Sequence, residues 1–230
     1  MEPGNRLLDD YVLSLPGVDR PRVCFVPTAS GDADHYVVRI YRAFPAGRGE
    51  PSHISLFRRD KGCGIDADVA AHLLEQDLVY VGGGSLVSLL GVWRAHGLDD
   101  VLRDCWERGT VLCGLSAGSL CWFSEAITAF HGAPRRVEGL GLLPWSNCVH
   151  YDGEASRRGA YHEAVAAGMA PGYGVEDGAA LHFVGGELAR VVSSRPAARA
   201  YRVEAVDGVS TETPLPAVSL RDEAAGLVLA

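Results

Sequence analysis

Gly114-Leu115-Ser116-Ala117-Gly118 is the segment of this chain best suited to covalent chemistry. A Gly-x-Ser-x-Gly string between a strand and a helix sets its serine on a sharp turn, with the hydroxyl directed out of the sheet. Crowding at such a turn demands small neighbours, and Gly114, Ala117, Gly118 and Ser119 supply them. Val111-Leu112-Cys113 reads as the strand, and a helix is expected just after Ser116. A helix starting there turns unpaired N–H groups toward a negative charge developing at the serine. The N–H of Ala117 is the first oxyanion donor expected. The string alone also fits a tight strand–helix connection with a buried serine. The apolar runs on either side, the second being Leu120-Cys121-Trp122-Phe123, favour the nucleophile.

A second glycine turn, Gly82-Gly83-Gly84, follows the preceding strand. Consecutive strands of a parallel sheet often lie side by side, and their C-terminal ends share one rim. An N–H of Gly83 or Gly84 is therefore the expected second oxyanion donor. A phosphate loop is disfavoured, because neither Gly-Lys-Ser/Thr nor Gly-x-Gly-x-x-Gly occurs there.

A serine hydroxyl needs a general base. Of eight histidines, His72 and His96 fall in expected helices. His150 follows the short run Asn147-Cys148-Val149 and precedes Tyr151-Asp152-Gly153, a strand end entering a loop. Active-site groups of open α/β sheets collect at such ends. His150 leads His131 and His182 by this reasoning. A carboxylate should hold the imidazole in one tautomer. Asp177 precedes a glycine turn in Val175-Glu176-Asp177-Gly178, and Glu176, Asp152 and Glu154 compete with it.

The elements that must position these groups alternate along the chain. Strands are expected at Arg22–Val26, His53–Phe57, Asp77–Val81 and Thr110–Gly114. Helices are expected at Asp34–Phe44, Asp66–Glu75, Leu86–His96 and Leu98–Glu107. Ile40 and Phe44, and Val69 and Leu73, show the helical spacing. The second half continues with a helix over Ala155–Gly168. A strand–turn–strand pattern follows at Ala180–Val184 and Glu187–Val192, with further strands at Tyr201–Val206 and Val218–Leu220. This order predicts an α/β fold: a mainly parallel sheet flanked by helices on both faces, with an antiparallel C-terminal edge. No linker, repeat or low-complexity segment interrupts it, so a single domain over residues 1–230 is expected.

Composition narrows the partners. The chain has 230 residues, 47% of them hydrophobic and 22% charged, with a net charge of −8. Such a surface repels phosphate backbones, so nucleic acid is not an expected partner. No apolar run approaches the roughly 18 residues of a membrane span, and no membrane association is expected. Met1 to Asp10 lacks the basic-then-apolar pattern of a signal peptide. The six cysteines, Cys24, Cys63, Cys105, Cys113, Cys121 and Cys148, are scattered, mostly in apolar runs, without a Cys-x-x-Cys pair. They read as reduced and buried, which fits a cytoplasmic location.

Four segments occur in series: Val81-Gly82-Gly83-Gly84, Gly114 to Ser119, Val149-His150-Tyr151-Asp152-Gly153-Glu154, and Glu176-Asp177-Gly178-Ala179-Ala180-Leu181. Together they resemble the serine peptidases peptidase E, an α-aspartyl dipeptidase, and cyanophycinase, over nearly the whole chain. The resemblance implies a fold like the class I glutamine amidotransferases and a Ser-His-acid triad. Ser116 matches the nucleophile, His150 the base and Asp177 the acid, with Glu176 the alternative under a one-residue shift. It also implies small peptide substrates with an N-terminal aspartate, and no metal or cofactor. A homodimer stands as an open assembly option. An acidic substrate side chain calls for a guanidinium, and Arg157 and Arg158, just after the His150 loop, are the candidates.

Three segments depart from the family pattern. Members usually carry a first strand and a Gly-rich turn before the point matching Met1-Glu2-Pro3-Gly4-Asn5. Gly83-Gly84-Ser85-Leu86 stands where Gly-Gly-Asn-Thr is common. Ile127-Thr128-Ala129-Phe130 lacks the aspartate that relatives carry about a dozen residues after the nucleophile. Ala129 therefore opens two other readings: a cyanophycinase-like or biosynthetic peptidase for another aspartyl conjugate, and a non-catalytic homologue with a binding role.

Overall fold

The structure, a computed structural model, describes residues 4–57, 67–153 and 155–226. Cys63, Asp66 and Glu154 lie outside the described residues. The chain divides into two compact units, residues 1–119 and 120–230.

The first unit runs α1 (Leu7–Ser14), β1 (Arg22–Val26), α2 (Asp34–Ala43), β2 (Glu50–His53), α3 (Ala67–Leu74), β3 (Leu78–Val81), α4 (Leu86–His96), α5 (Leu98–Glu107), β4 (Val111–Gly114) and α6 (Ala117–Leu120). Its four strands form one sheet in the order β2-β1-β3-β4, parallel throughout. A parallel sheet covered by helices wants unbroken apolar strands. Every residue of β3 is buried, as are Val23 to Val26 of β1. Val23, Phe25, Leu78 and Tyr80 pack with Ile40 and Phe44 of α2 and Leu13 of α1 in one core. Local signals set the helix ends. The Ser85 hydroxyl accepts the Ser88 N–H at 3.1 Å to start α4, and Gly97, at φ +72°, stops it.

One strand is displaced from its expected place. His53–Phe57 reads as a strand in the sequence, yet β2 covers Glu50–His53. Asp32 is the physical reason. Its buried carboxylate accepts the N–H groups of Leu56 at 2.6 Å and Phe57 at 2.8 Å through one oxygen, together with the Ser55 hydroxyl at 2.6 Å. Backbone donors captured in this way cannot continue a ladder.

The second unit runs β5 (Phe123–Thr128), β6 (Arg135–Glu138), β7 (Leu143–Val149), α7 (Ala155–Ala166), β8 (Gly172–Val175), β9 (Ala179–Val184), β10 (Glu187–Ser193), β11 (Ala200–Val206), β12 (Val209–Leu215), β13 (Val218–Ser219) and α8 (Leu220–Gly226). Six strands form a mixed sheet in the order β12-β11-β8-β7-β5-β6, and β13-β10-β9 form a smaller one. In the larger sheet β5, β7 and β8 are parallel, while β6, β11 and β12 join antiparallel. The expected hairpin of β9 and β10 is present and antiparallel. Ile127, Cys148 and Val203 of the sheet pack with Tyr161 and Val165 of α7, and with Tyr151 and Met169.

β7 and β8 lie unusually close at one point. A Cβ on Gly172 would fall 1.9 Å from the Ser146 carbonyl oxygen, far inside contact distance. Gly172→Ala is therefore expected to destabilise the protein by about 1–3 kcal/mol through forced strand separation. Urea denaturation of the variant checks this.

Candidate active site

β4 delivers the chain to Ser116, and α6 leaves it immediately afterwards. α6 is a single turn, beginning just after Ser116 as expected. Ser116 adopts φ +53°, a left-handed conformation that a serine adopts only under constraint. The constraint is backbone crowding. A side chain at Gly114 would meet the Gly118 carbonyl oxygen at 2.2 Å, and one at Gly118 would meet the Val81 carbonyl oxygen at 2.3 Å. The Leu115 N–H still donates to Val81 at 3.2 Å, so the β3–β4 pairing persists into the turn. After the serine, Gly118 and Ser119 donate their N–H groups to the Leu115 and Ser116 carbonyls. No described residue accepts from the Ala117 N–H.

The glycine turn after β3 resolves into two roles. A Cβ on Gly83 would lie 3.2 Å from the Ser116 Cβ, so Gly83 sits directly beside the serine. Gly84, at φ +140°, instead packs on the Ala29 carbonyl, 2.2 Å from where its Cβ would be. Of the two glycines, Gly83 is the one that lies beside Ser116. The Ser85 N–H, one residue on, donates to the same Ala29 carbonyl at 2.8 Å. Gly84 and Ser85 thus lock the turn onto the segment after β1.

In the second unit His150 leaves the end of β7 at φ +55°. Its Nδ1 lies 2.7 Å from Asp177 Oδ1. A carboxylate accepting there assigns the proton to Nδ1 and leaves Nε2 as the basic nitrogen of the neutral ring. The Asp177 N–H donates to Asp152 Oδ1 at 3.0 Å, so Asp152 braces the Asp177 loop. Glu176 is engaged elsewhere: one oxygen accepts the Arg199 N–H and the other the Tyr201 hydroxyl, both at 2.9 Å. His131 lies in an exposed turn, and His182 lies within β9. Burial, helped by Arg190, lowers the pKa of His182.

The arginine pair makes contacts within the protein. Arg157 is 7% exposed and donates to the Val149 carbonyl at 3.4 Å. Arg158 donates through Nε and Nη2 to Glu212, and its guanidinium lies over the rings of Tyr151 and Tyr201 at 4.9 and 4.8 Å. Both guanidinium groups serve the fold around the His150 loop, so a substrate carboxylate would have to compete with these contacts. Glu212 carries no local mark in the sequence, because its partners lie 50 to 61 residues away along the chain. Ala129 follows the end of β5, and its carbonyl accepts the Gly132 N–H at 3.2 Å.

Cys24, Cys105, Cys113, Cys121 and Cys148 are free thiols. Burial pushes Cys24 up to about 12 and Cys105 up to about 11, which suppresses the nucleophilic thiolate. Among the described residues, no three His, Cys, Asp or Glu side chains come together as a metal site requires. No helix among them is long and apolar enough to cross a membrane.

Residues 1–191 match the model of peptidase family S51. The chain belongs to peptidase family S51. It is therefore a peptidase, a hydrolase of the serine type. It is 44% identical over 217 residues to the uncharacterized peptidase YgaJ of Bacillus subtilis (strain 168), covering 94% of this chain and 92% of that one. It is 32% identical over 133 residues to peptidase E of Streptomyces coelicolor, covering 56% and 51%. The crystal structure of a peptidase from an acI-B1 Actinobacterium matches with a TM-score of 0.66 at 16% identity, over 92% of this chain and 88% of that one. At that identity the likeness is one of fold. The S51 match stops before β11 and β12, which carry Tyr201 and Glu212.

Glu212 makes acid stability a test of the contacts around His150. Burial raises its pKa, but hydrogen bonds from Arg158, His162 and Tyr151 outweigh that and hold it near about 2, below the ordinary 4.5. The unfolded chain therefore takes up this proton first as pH falls. The network's contribution is complete above pH 4.5 and is lost as pH falls toward about 2. Urea unfolding across this range should show the gap between wild type and Glu212→Gln closing at the acid end.

Proposed function

We propose that the chain hydrolyses small peptides, foremost dipeptides with an N-terminal aspartate, through Ser116, His150 and Asp177. The observation that carries this reading is the 2.7 Å contact between His150 Nδ1 and Asp177 Oδ1. It gives one imidazole of the chain a fixed tautomer and a carboxylate to stabilise its charged form. The left-handed turn at Ser116, with Gly83 against it, supports the serine as nucleophile.

In this mechanism His150 Nε2 takes the Ser116 hydroxyl proton as Oγ attacks the scissile carbonyl carbon. The carbonyl π pair moves onto oxygen, and the N–H groups of Ala117 and Gly83 stabilise that oxyanion. The tetrahedral intermediate collapses and breaks the C–N bond, and His150 protonates the departing amine. Water, deprotonated by the same imidazole, then releases the acyl group from Ser116. Asp177 keeps its negative charge throughout and stabilises the imidazolium.

The aspartyl preference rests on the ordered motifs and on the relative named peptidase E. Because Arg158 is engaged by Glu212, the acidic group of a substrate is read by other donors. Hydrolysis of another aspartyl conjugate, and a binding role without catalysis, are the outcomes a substrate panel separates from this reading.

Ser116→Ala should reduce kcat/KM on Asp-Xaa dipeptides by about 10⁴-fold or more. A panel including Glu-Xaa, Asn-Xaa and Leu-Xaa should show Asp-Xaa cleaved fastest by the wild type. Undiminished hydrolysis by Ser116→Ala would sink the nucleophile assignment. Gly83→Ala tests the second donor separately. Its methyl would meet Leu115 Cδ1, which can swing aside, and press on Ser116. Thermal stability should stay near wild type while kcat falls at least about tenfold, short of the 10²–10³ that loss of a whole donor costs.

A further inference from the structure

His150 and Asp177 both sit on loops, and His150 holds a strained backbone conformation. Such a conformation persists only where its surroundings over-determine it. The surroundings are contacts on the neighbouring residues, Tyr151 and Glu176.

Tyr151 is 1% exposed and is held at both ends. Its N–H donates to the Val175 carbonyl at 3.2 Å. Its ring covers Gly174 so closely that a Cβ there would lie 2.6 Å from Cζ. The ring meets Tyr161 edge-on and Tyr201 at 5.5 Å between centroids. Its hydroxyl ends on Glu212 Oε2 at 2.8 Å.

Glu212 collects more than this one donor. Oε2 also accepts from Arg158 Nε at 3.1 Å and faces His162 Nε2 at 3.0 Å, while Oε1 accepts from Arg158 Nη2. His162 is steadied in turn by Ser210, 2.6 Å from its Nδ1. The Arg158 guanidinium, held by Glu212, lies over the Tyr151 and Tyr201 rings together. Tyr201 then donates its hydroxyl to Glu176, the residue before Asp177. One carboxylate on β12 thus reaches the base through Tyr151, and the acid through Arg158, Tyr201 and Glu176.

We propose that Glu212 is a positioning residue for the His150–Asp177 pair, acting from a hairpin beyond the stretch that defines the family match. The proposal rests on the reading of His150 and Asp177 as base and acid. Glu212 touches neither of them and has no part in bond making. Its role is to keep the imidazole at the angle and distance the carboxylate requires. Misplacement on the scale of 1 Å at a reacting group can cost about 10² in rate.

The decisive variant is Glu212→Gln. It keeps the shape but replaces one acceptor oxygen with an NH₂ group facing the Tyr151, Arg158 and His162 donors. The expected result is a fall in kcat of about ten- to a hundredfold with KM within about twofold of wild type. Glu212→Asp, which keeps the charge, should recover part of the loss. Glu223→Gln, at a surface ion pair with Arg190, serves as the control and should match wild type.

A second readout needs no substrate. Proton NMR of protein labelled with ¹⁵N-histidine, assigned with His150→Gln, follows the His150 Nδ1 proton shared with Asp177. This signal should be far downfield in wild type and shifted or lost in Glu212→Gln. A native His150 signal in the variant would overturn the proposal, whether or not thermal stability had dropped. So would a kcat loss no larger than the loss of folded protein. If Asp177→Asn and Ser116→Ala leave hydrolysis intact, the triad reading fails by itself. The histidine signal then still decides whether Glu212 holds His150.

Discussion

Two carbonyl oxygens govern the turn that carries Ser116. Those of Val81 and Gly118 stand where side chains at 118 and 114 would have to go. The pairing of β3 with β4 brings Val81 level with Gly114, and the chain must then reverse within a few residues. With no room for a Cβ at either glycine, the turn closes, and the strain falls on Ser116 at φ +53°. The neighbouring geometry follows from that crowding. Gly83 can come against the serine because it too lacks a side chain, and Gly84 fixes the turn by packing on Ala29. The apolar strands beneath supply the cohesion that lets a local strain of order 1–3 kcal/mol be tolerated.

The second unit solves a related problem by other means. β7 and β8 are parallel neighbours, so their C-terminal ends come out on the same side. His150 follows one end and Asp177 lies just past the other, which lets a short hydrogen bond join residues 27 positions apart. No glycine relieves the left-handed backbone at His150. Side chains hold it, with an aromatic ring against Gly174 and a carboxylate behind that ring.

The legible part of the fold was whatever leaves a local signature. Continuous apolar runs marked β1, β3 and β4, and helical spacing marked α2 and α3. The elbow was legible because its crowding dictates small residues, and His150 because it ends an apolar run. Other elements carry no such mark. β8 is Gly-Tyr-Gly-Val, and its glycines reflect the closeness of Ser146 and Tyr151. β12 reads Val-Ser-Thr-Glu-Thr-Pro-Leu, an exposed edge strand without an apolar face. The end of the expected second strand was lost to Asp32, a side-chain acceptor more than 20 residues upstream. The pairing of Arg158 with Glu212 was not legible, because a sequence shows charge without showing its counter-ion. Which neighbours Asp177 and Glu176 face was not legible either, since adjacent acids differ little in composition but point to different partners.

The position of Glu212 also bears on when the molecule becomes complete. Tyr151 and Glu212 are 61 residues apart, so at about 5–20 residues per second they leave the ribosome roughly 3–12 s apart. The strand bearing His150 and the turn bearing Asp177 are both made before the hairpin that steadies them. During synthesis the imidazole lacks its brace while the rest of the chain is still being extended. A nascent hydrolase surrounded by newly made polypeptide would in this way gain its working geometry only after the β11–β12 hairpin has followed the His150 and Asp177 loops out of the ribosome.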